Sequence, residues 1–284
     1  MERMLLTLII AFTFQIGNVE ARLRPLGKFY KLVPESQAHV MQGSAFERDL
    51  DPSSIKVFVW NIKKAEMMTW KQEFKSYGED KDLYLIQEAY ETPLFVNTLK
   101  EFSNVRWDMG ISFLYKIYNN QATGNMIGSD VEPTEVIVKH TPDMEPVIET
   151  PKTTTFAKYP VEGSDKNLLA ISVHGINLTS FGSFKRHMNQ IEEVIAKHDG
   201  PVVFAGDFNT RTKCRTVFLE EMMKRLKFNT ITFKNGEYRM KFKFTPYYLD
   251  HGFVRGLQVK KAEVIKESSG SDHKPMTLEL ALLP

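Results

Sequence analysis

The chain has 284 residues, 42% hydrophobic and 12% aromatic, enough to bury a sizeable core in one large α/β domain. Its formal net charge of +2 is too small to announce a polyanion partner, and its single cysteine, Cys214, excludes an intramolecular disulfide framework and a thiolate metal cluster. The charge is uneven, since residues 201–284 hold 15 Lys and Arg against 9 Asp and Glu, an excess that suits a phosphate-bearing substrate or a solvated face.

The first 21 residues, MERMLLTLIIAFTFQIGNVEA, carry Arg3, an apolar stretch from Leu5 to Ile16 and Val19-Glu20-Ala21 as a small-residue cleavage site. This reads as a secretory signal peptide cleaved after Ala21, giving an exported protein, periplasmic or secreted; the alternative is an uncleaved membrane anchor. Residues 22–54 form a polar approach segment without strong periodicity. IKVFVWN (Ile55 to Asn61) is the first strand, a helix follows over Trp70 to Tyr77, and DLYLIQE (Asp82 to Glu88) is a second buried strand. Thr92 and Pro93 take the N-cap and first helical positions of a helix expected to reach about Phe102.

From Val105 to Val173 short β-like runs (VRWDMGISFLY, TEVIVKH, TTTFAKY, NLLAISV) alternate with Gly, Pro and Asn, which predicts a β-meander. Behind a Ser183 cap, Phe184, Met188, Ile191 and Ile195 fall at helical spacing, and PVVFAGD follows as a strand. A helix over Thr216 to Leu226 and strands at NTITF, LDHGFVR, VKKAEVI and MTLELAL complete the chain. No repeat or linker divides it, so residues 55–284 read as one domain of two mixed sheets packed face to face with helices outside.

One pattern recurs. An apolar strand ends and polar residues of a narrow chemical type appear: Asn61 after VFVW, Gln87 and Glu88 after LYLI, His174 and Asn177 in AISVHGIN, Asp207 and Asn209 in VVFAGDFN, Asp250 and His251 in YYLDH, and Asp272 and His273 in GSDHKP. A carboxylate at a strand end is usually a turn former or cap, so one such fragment carries little; six in order carry more. Glu88 and Asn61 offer hard oxygen ligands suited to Mg²⁺. His273 beside a carboxylate can serve as base, acid or charged phosphate clamp. Asp207 and Asn209, two apart on an extended backbone, point to one side, whereas His251 next to Asp250 should face away and be structural. His140, His187 and His198 read as surface or helix-face residues, and Trp60 and Phe208 as core.

The ordered set WN, QE, H..N, GDFN, LDH and SDHKP resembles the endonuclease/exonuclease/phosphatase superfamily, the group of deoxyribonuclease I, exonuclease III and neutral sphingomyelinase, from about Ile55 to the C-terminus. The texture is most similar to a bacterial branch of undefined substrate. The resemblance implies a four-layer α/β/β/α sandwich and a Mg²⁺-dependent phosphodiesterase, with Mn²⁺ as a substitute ion. It implies Glu88 as the principal metal ligand with Asn61 beside it and Asp272 near the metal. It implies His273 as the catalytic histidine oriented by Asp250, Asp207 and Asn209 as positioners of water, phosphate or leaving group, and His174 as the second active-site histidine. Asn177, Gln87 and Thr123 to Ser129 would support the site or contact phosphate.

Nucleic acid is the expected substrate, and the protein is expected to act as a monomer without an obligate protein partner. The alternative is a phospholipid or small-molecule phosphoesterase of the same fold, with FGSF (Phe181 to Phe184) and YKIYNN (Tyr115 to Asn120) as the aromatic segments available to a membrane. A non-catalytic binding protein is disfavoured because every acidic and histidine position of the pattern is filled.

Overall fold

The structure, a computed structural model, describes residues 29–283, so the expected leader and cleavage site lie outside the described residues. Strand alternation sets its layers. In β3 (Ile55–Asn61), Ile55, Val57 and Val59 point to one face and Phe58 and Trp60 to the other, and all five are buried, as a strand covered on both sides requires. The first set packs between two sheets with Leu85, Ala170, Val203 and Ala205; the second packs under helices with Trp70, Phe74 and Phe95.

The first sheet contains β1 (Tyr30–Lys31), β2 (His39–Gly43), β3, β4 (Leu83–Tyr90), β5 (Arg106–Tyr115), β6 (Gln121–Ser129), β13 (Leu257–Val264) and β14 (Met276–Leu282). Its order is β1-β5-β6-β4-β3-β14-β13, with β2 also on β5. The second contains β7 (Glu135–His140), β8 (Thr153–Tyr159), β9 (Leu168–His174), β10 (Val202–Asp207), β11 (Asn229–Thr230) and β12 (Asp250–Arg255), in the order β11-β12-β10-β9-β8-β7. Each is mixed, with β3 parallel to β4 and β9 parallel to β10. Helices α1 (Trp70–Gly78) and α2 (Pro93–Leu99) cover the first sheet, and α3 (Phe181–Ile195) and α4 (Lys213–Arg225) cover the second. This is the expected α/β/β/α sandwich.

Several local expectations change. The approach segment supplies β1 and β2, which pair with β5 and extend the first sheet; two and five residues are too short to show a period. The expected meander is divided, β5 and β6 going to one sheet and β7 to β9 to the other. Thr92 does cap α2, its Oγ1 accepting from the Phe95 amide at 3.2 Å, but the helix stops at Leu99 and passes through i→i+3 turns to Phe102. α3 begins three residues early because Ser180, not Ser183, accepts the orphan amide. NTITF keeps only Asn229–Thr230 as strand.

Two buried histidines make the fold acid-labile. His187 accepts from the Ile176 amide at Nδ1 and meets Thr154 Oγ1 at Nε2, 3.0 Å away, and burial together with Arg215 lowers its pKa to about 3. Burial, then Arg239, lowers His251 to about 4, its Nε2 lying 2.7 Å from Thr210 Oγ1. The unfolded state takes up these protons first, near pH 6.5, so stability is intact above that value and is lost as pH falls toward 4, at up to about 1.4 kcal/mol per pH unit for each group. Urea midpoints measured between pH 7 and 4.5 should fall steeply, and less steeply in His251→Asn. An equal slope in that variant would count against this assignment.

Candidate active site

Three neighbouring strands of the second sheet end in step. Register places Asp207 of β10 opposite His174 of β9 and opposite Asp250 of β12, so the three side chains stand abreast on one face. In the first sheet Asn61 of β3 lies opposite Gln87 of β4. Glu88 follows inside a bulge between Ile86 and Ala89, with φ of 54°, a left-handed conformation that turns its carboxylate out of the strand alternation. The loop before β14 adds His273, whose Nδ1 lies 2.8 and 3.0 Å from the two oxygens of Asp250.

Hydrogen bonds lock the two sheets together here. Asn61 Nδ2 donates to Asp207 Oδ2 at 3.1 Å, Ser271 Oγ donates to the Asn61 carbonyl at 2.7 Å, and Trp60 Nε1 donates to the His273 carbonyl at 2.8 Å. Trp60 is therefore a core residue that also fixes the histidine. Gln87 is buried and donates to Ser172 Oγ at 3.0 Å, so it braces the sheets and does not reach a phosphate. The Thr123 to Ser129 stretch is likewise buried inside β6, where Asn125 Nδ2 donates to the Thr153 and Ser172 carbonyls. Asn209, at φ 53°, donates its amide N–H to Asp207 Oδ1 at 2.9 Å and its Nδ2 to the Gly175 carbonyl at 3.0 Å.

The glycine of GDFN has a steric reason. Gly206 has φ of +139°, and a Cβ there would lie 2.4 Å from the Val173 carbonyl oxygen and 2.9 Å from Gln87 Nε2. Gly206→Ala is expected to cost about 3 kcal/mol of stability and to displace Asp207 with it, readable as a drop in melting temperature. Wild-type melting would remove the steric account.

Two predicted residues fall outside the cluster. Asp272, next to His273 on the loop, is exposed and pairs with Lys63 Nζ at 3.2 Å, outside the buried cluster. Asn177 is held by its backbone, its amide donating to Glu145 Oε1 at 2.8 Å while its side chain accepts from Leu178. His251 does face away, as expected.

The electrostatics separate the groups. Burial alone would raise Glu88, but Lys64, then His174, Lys152 and His273, hold it at about 2. Burial and Lys152 push His174 well below its ordinary value, so its ring is neutral. Burial opposes the charge on His273, yet Asp250, through charge and hydrogen bond, and then Asp207 raise it to about 10. Burial lifts Asp207, with Asp250 and Glu88 adding to it against His273. An ionised carboxylate, a neutral histidine and an imidazolium thus share one small space: His174 Nε2 is 3.8 Å from Glu88 and 3.7 Å from Asp207, and His273 Nε2 is 3.9 Å from Asp207.

Asp207, Asp250 and His273 present donor atoms within 4.8 Å of one another, a spacing that suits a cation. Both oxygens of Asp250 already engage His273, however, while Asp207 stands 3.9 Å from His273 Nε2 without a hydrogen bond to it. The hard-oxygen donors that fit a divalent cation are Glu88, held ionised, and Asn61 beside it.

Sequence reasoning missed Lys64, Lys152 and Arg215. Lys64 sits in a turn in which Lys63, Lys64 and Ala65 have φ of 49°, 55° and 58°, strain typical of functional sites. Lysines and arginines are common on surfaces, and nothing in their spacing marks these as turned inward.

Comparison with known proteins follows the geometry. The family model described as Endonuclease/Exonuclease/phosphatase family matches residues 58–273. A UPF0294 protein of Vibrio parahaemolyticus is 28% identical over 233 residues, covering 82% of this chain and 79% of that one. Among solved structures, an endonuclease/exonuclease/phosphatase from Beutenbergia cavernae superposes with a TM-score of 0.64 at 13% identity, covering 81% of this chain and 72% of the other. TDP2 of D. rerio, complexed with a single-strand DNA product, superposes with a TM-score of 0.57 at 16% identity, covering 80% and 99%. At these identities the solved structures share the fold.

Proposed function

Because the chain belongs to the endonuclease/exonuclease/phosphatase family, whose members are typically phosphoester hydrolases on a fold that generally uses a divalent metal, we propose that it is a Mg²⁺-dependent phosphodiesterase acting on nucleic acid. The observation that carries this reading is the meeting of an ionised Glu88 and an Asp250-held His273 imidazolium across Asp207. Glu88 and Asn61 would hold the cation, which when bound neutralises charge on the phosphoryl oxygens.

The remaining work falls to side chains. Asp250 occupies His273 Nδ1, which leaves the Nε2 proton to grip a phosphoryl oxygen and to protonate the departing one. Asp207, raised by burial and gripped by Asn61 and Asn209, is suited to accept the proton of the attacking water. Asn209 and Gly206 hold that carboxylate in place. Nucleic acid is supported by the basic C-terminal third and by the fold shared with the DNA-complexed TDP2.

The test is product release from plasmid DNA, single-stranded DNA, RNA, sphingomyelin and phosphoinositides, with and without a chelator. Nucleic-acid cleavage that EDTA stops and Mg²⁺ restores is expected. Turnover of a lipid alone would replace the substrate assignment.

A further inference from the structure

Just before β12 the chain makes a hairpin closed by an antiparallel bridge between Lys241 and Tyr248. Residues 239–248, RMKFKFTPYY, contain three cations and no acid. Lys241, Phe242, Lys243 and Phe244 are all exposed; the Phe244 ring is fully in solvent, on a residue with φ of 64°, a costly arrangement for an aromatic side chain with nothing to hold. Lower down, cations already cover rings: Arg239 lies 4.0 Å and Lys241 4.6 Å from the Tyr248 centroid, and Arg211 5.4 Å from that of Phe242.

The hairpin is rooted on the site. The Met240 amide donates to Asp250 Oδ2 at 3.3 Å, and Arg239 Nη1 donates to the Asp250 carbonyl at 3.1 Å, so the residue that holds His273 also anchors the hairpin. The base of the hairpin therefore borders the site, and its tip stands a few residues farther out along the chain.

We propose that this hairpin is an arm for single-stranded nucleic acid, its lysines meeting backbone phosphates next to the scissile one and Phe242 and Phe244 stacking on unpaired bases. The proposal rests on the nucleic-acid reading of the active site. The interleaving of rings with cations favours a strand, which offers phosphate and base in alternation. A bilayer offers them in layers, and inserting Phe244 would drag Lys243 into the hydrocarbon. The aromatic segments expected from sequence also expose apolar groups, Phe181 in one and Ile117 and Tyr118 in the other, but Phe184 is buried and Tyr115 is half-buried within an aromatic cluster.

The experiment is anisotropy of labelled oligothymidylate with the full chain carrying His273→Gln, in Mg²⁺, compared with the same protein bearing Phe242→Ala/Phe244→Ala, Lys241→Gln/Lys243→Gln, or Phe46→Ala. Phe46 is also exposed, but its amide bonds Asp130 at the far end of the sheets, where β4 begins. Removing both rings is expected to weaken binding roughly tenfold to a hundredfold. Removing both lysines should weaken binding and flatten its salt dependence, with Phe46→Ala unchanged. Equal binding by the hairpin variants overturns the proposal, as does hairpin-dependent binding to phosphatidylserine vesicles without oligonucleotide binding. Cleavage of oligonucleotides by the wild type that ignores the hairpin substitutions refutes the arm alone; hairpin-dependent binding without any cleavage refutes the nuclease reading alone.

Discussion

His273→Ala is expected to lower kcat by about a thousandfold, with KM changed far less, on whichever phosphodiester the protein cleaves. Against the opposing effect of burial, Asp250 keeps this imidazole both positively charged and fixed in direction. Its loss should leave the fold intact, because the Trp60 indole donates to the backbone carbonyl of residue 273 and that bond survives truncation. Asp250→Asn separates orientation from charge: the amide keeps the shape but removes the anion that holds the imidazolium, so the reduction should approach that of His273→Ala. A His273→Ala enzyme within tenfold of wild type would move the chemistry elsewhere.

Arg215→Met is expected to destabilise the protein by about 3 kcal/mol and to impair catalysis as well, although residue 215 touches no reacting group. Arg215 is 2% exposed, and among the described residues its guanidinium donates to neutral acceptors only. Nη1 donates to the Ile176 and Asn209 carbonyls at 2.8 and 3.1 Å, Nη2 donates to the Thr179 carbonyl and hydroxyl at 2.9 and 3.2 Å, and the plane lies 4.9 Å from the Phe184 ring centroid. It clamps the loop after His174 to the loop after Asp207. Methionine fills much of the volume but leaves buried carbonyls without donors. Arg215→Lys cannot span all of them and should recover only part of the loss. Chemical denaturation and kcat measured together decide this: wild-type stability in the methionine variant would mean that water replaces the guanidinium at little cost.

Strand ends were the legible part of this protein. IKVFVWN and PVVFAGD read as buried strands because both faces are covered, and the polar residues at their tips are those the structure gathers, Asn61, Glu88, His174, Asp207, Asn209, Asp250 and His273. Asp272 lies on the surface beside Lys63, a placement that adjacency to a site histidine does not reveal. The division of the β-rich middle between two sheets was hidden because consecutive strands usually pair, and the switch after β6 leaves no local mark. Lys64 and Arg215 stayed illegible for another reason: each is placed by tertiary contacts far away in the chain, the half-buried Lys64 beside Glu88 and Tyr115, the buried Arg215 beneath Thr179 and Ile176. MKFKF in the hairpin alternates as a half-buried strand would, and nothing in that alternation says that its phenylalanines face solvent.

The register that sets His174, Asp207 and Asp250 abreast also decides how the molecule breathes. β9 and β10 are each paired on both sides, whereas β12 is paired on its outer side only at Phe253 and Val254, so the amides of His174 and Asp207 should exchange with deuterium only when the whole domain opens. Residues 241–247, exposed and held by one bridge and a few turn hydrogen bonds, should exchange much earlier. A protein partitioned in this way can change what it grips by mutation in the 240s while the strands that carry the proton-handling centre stay closed.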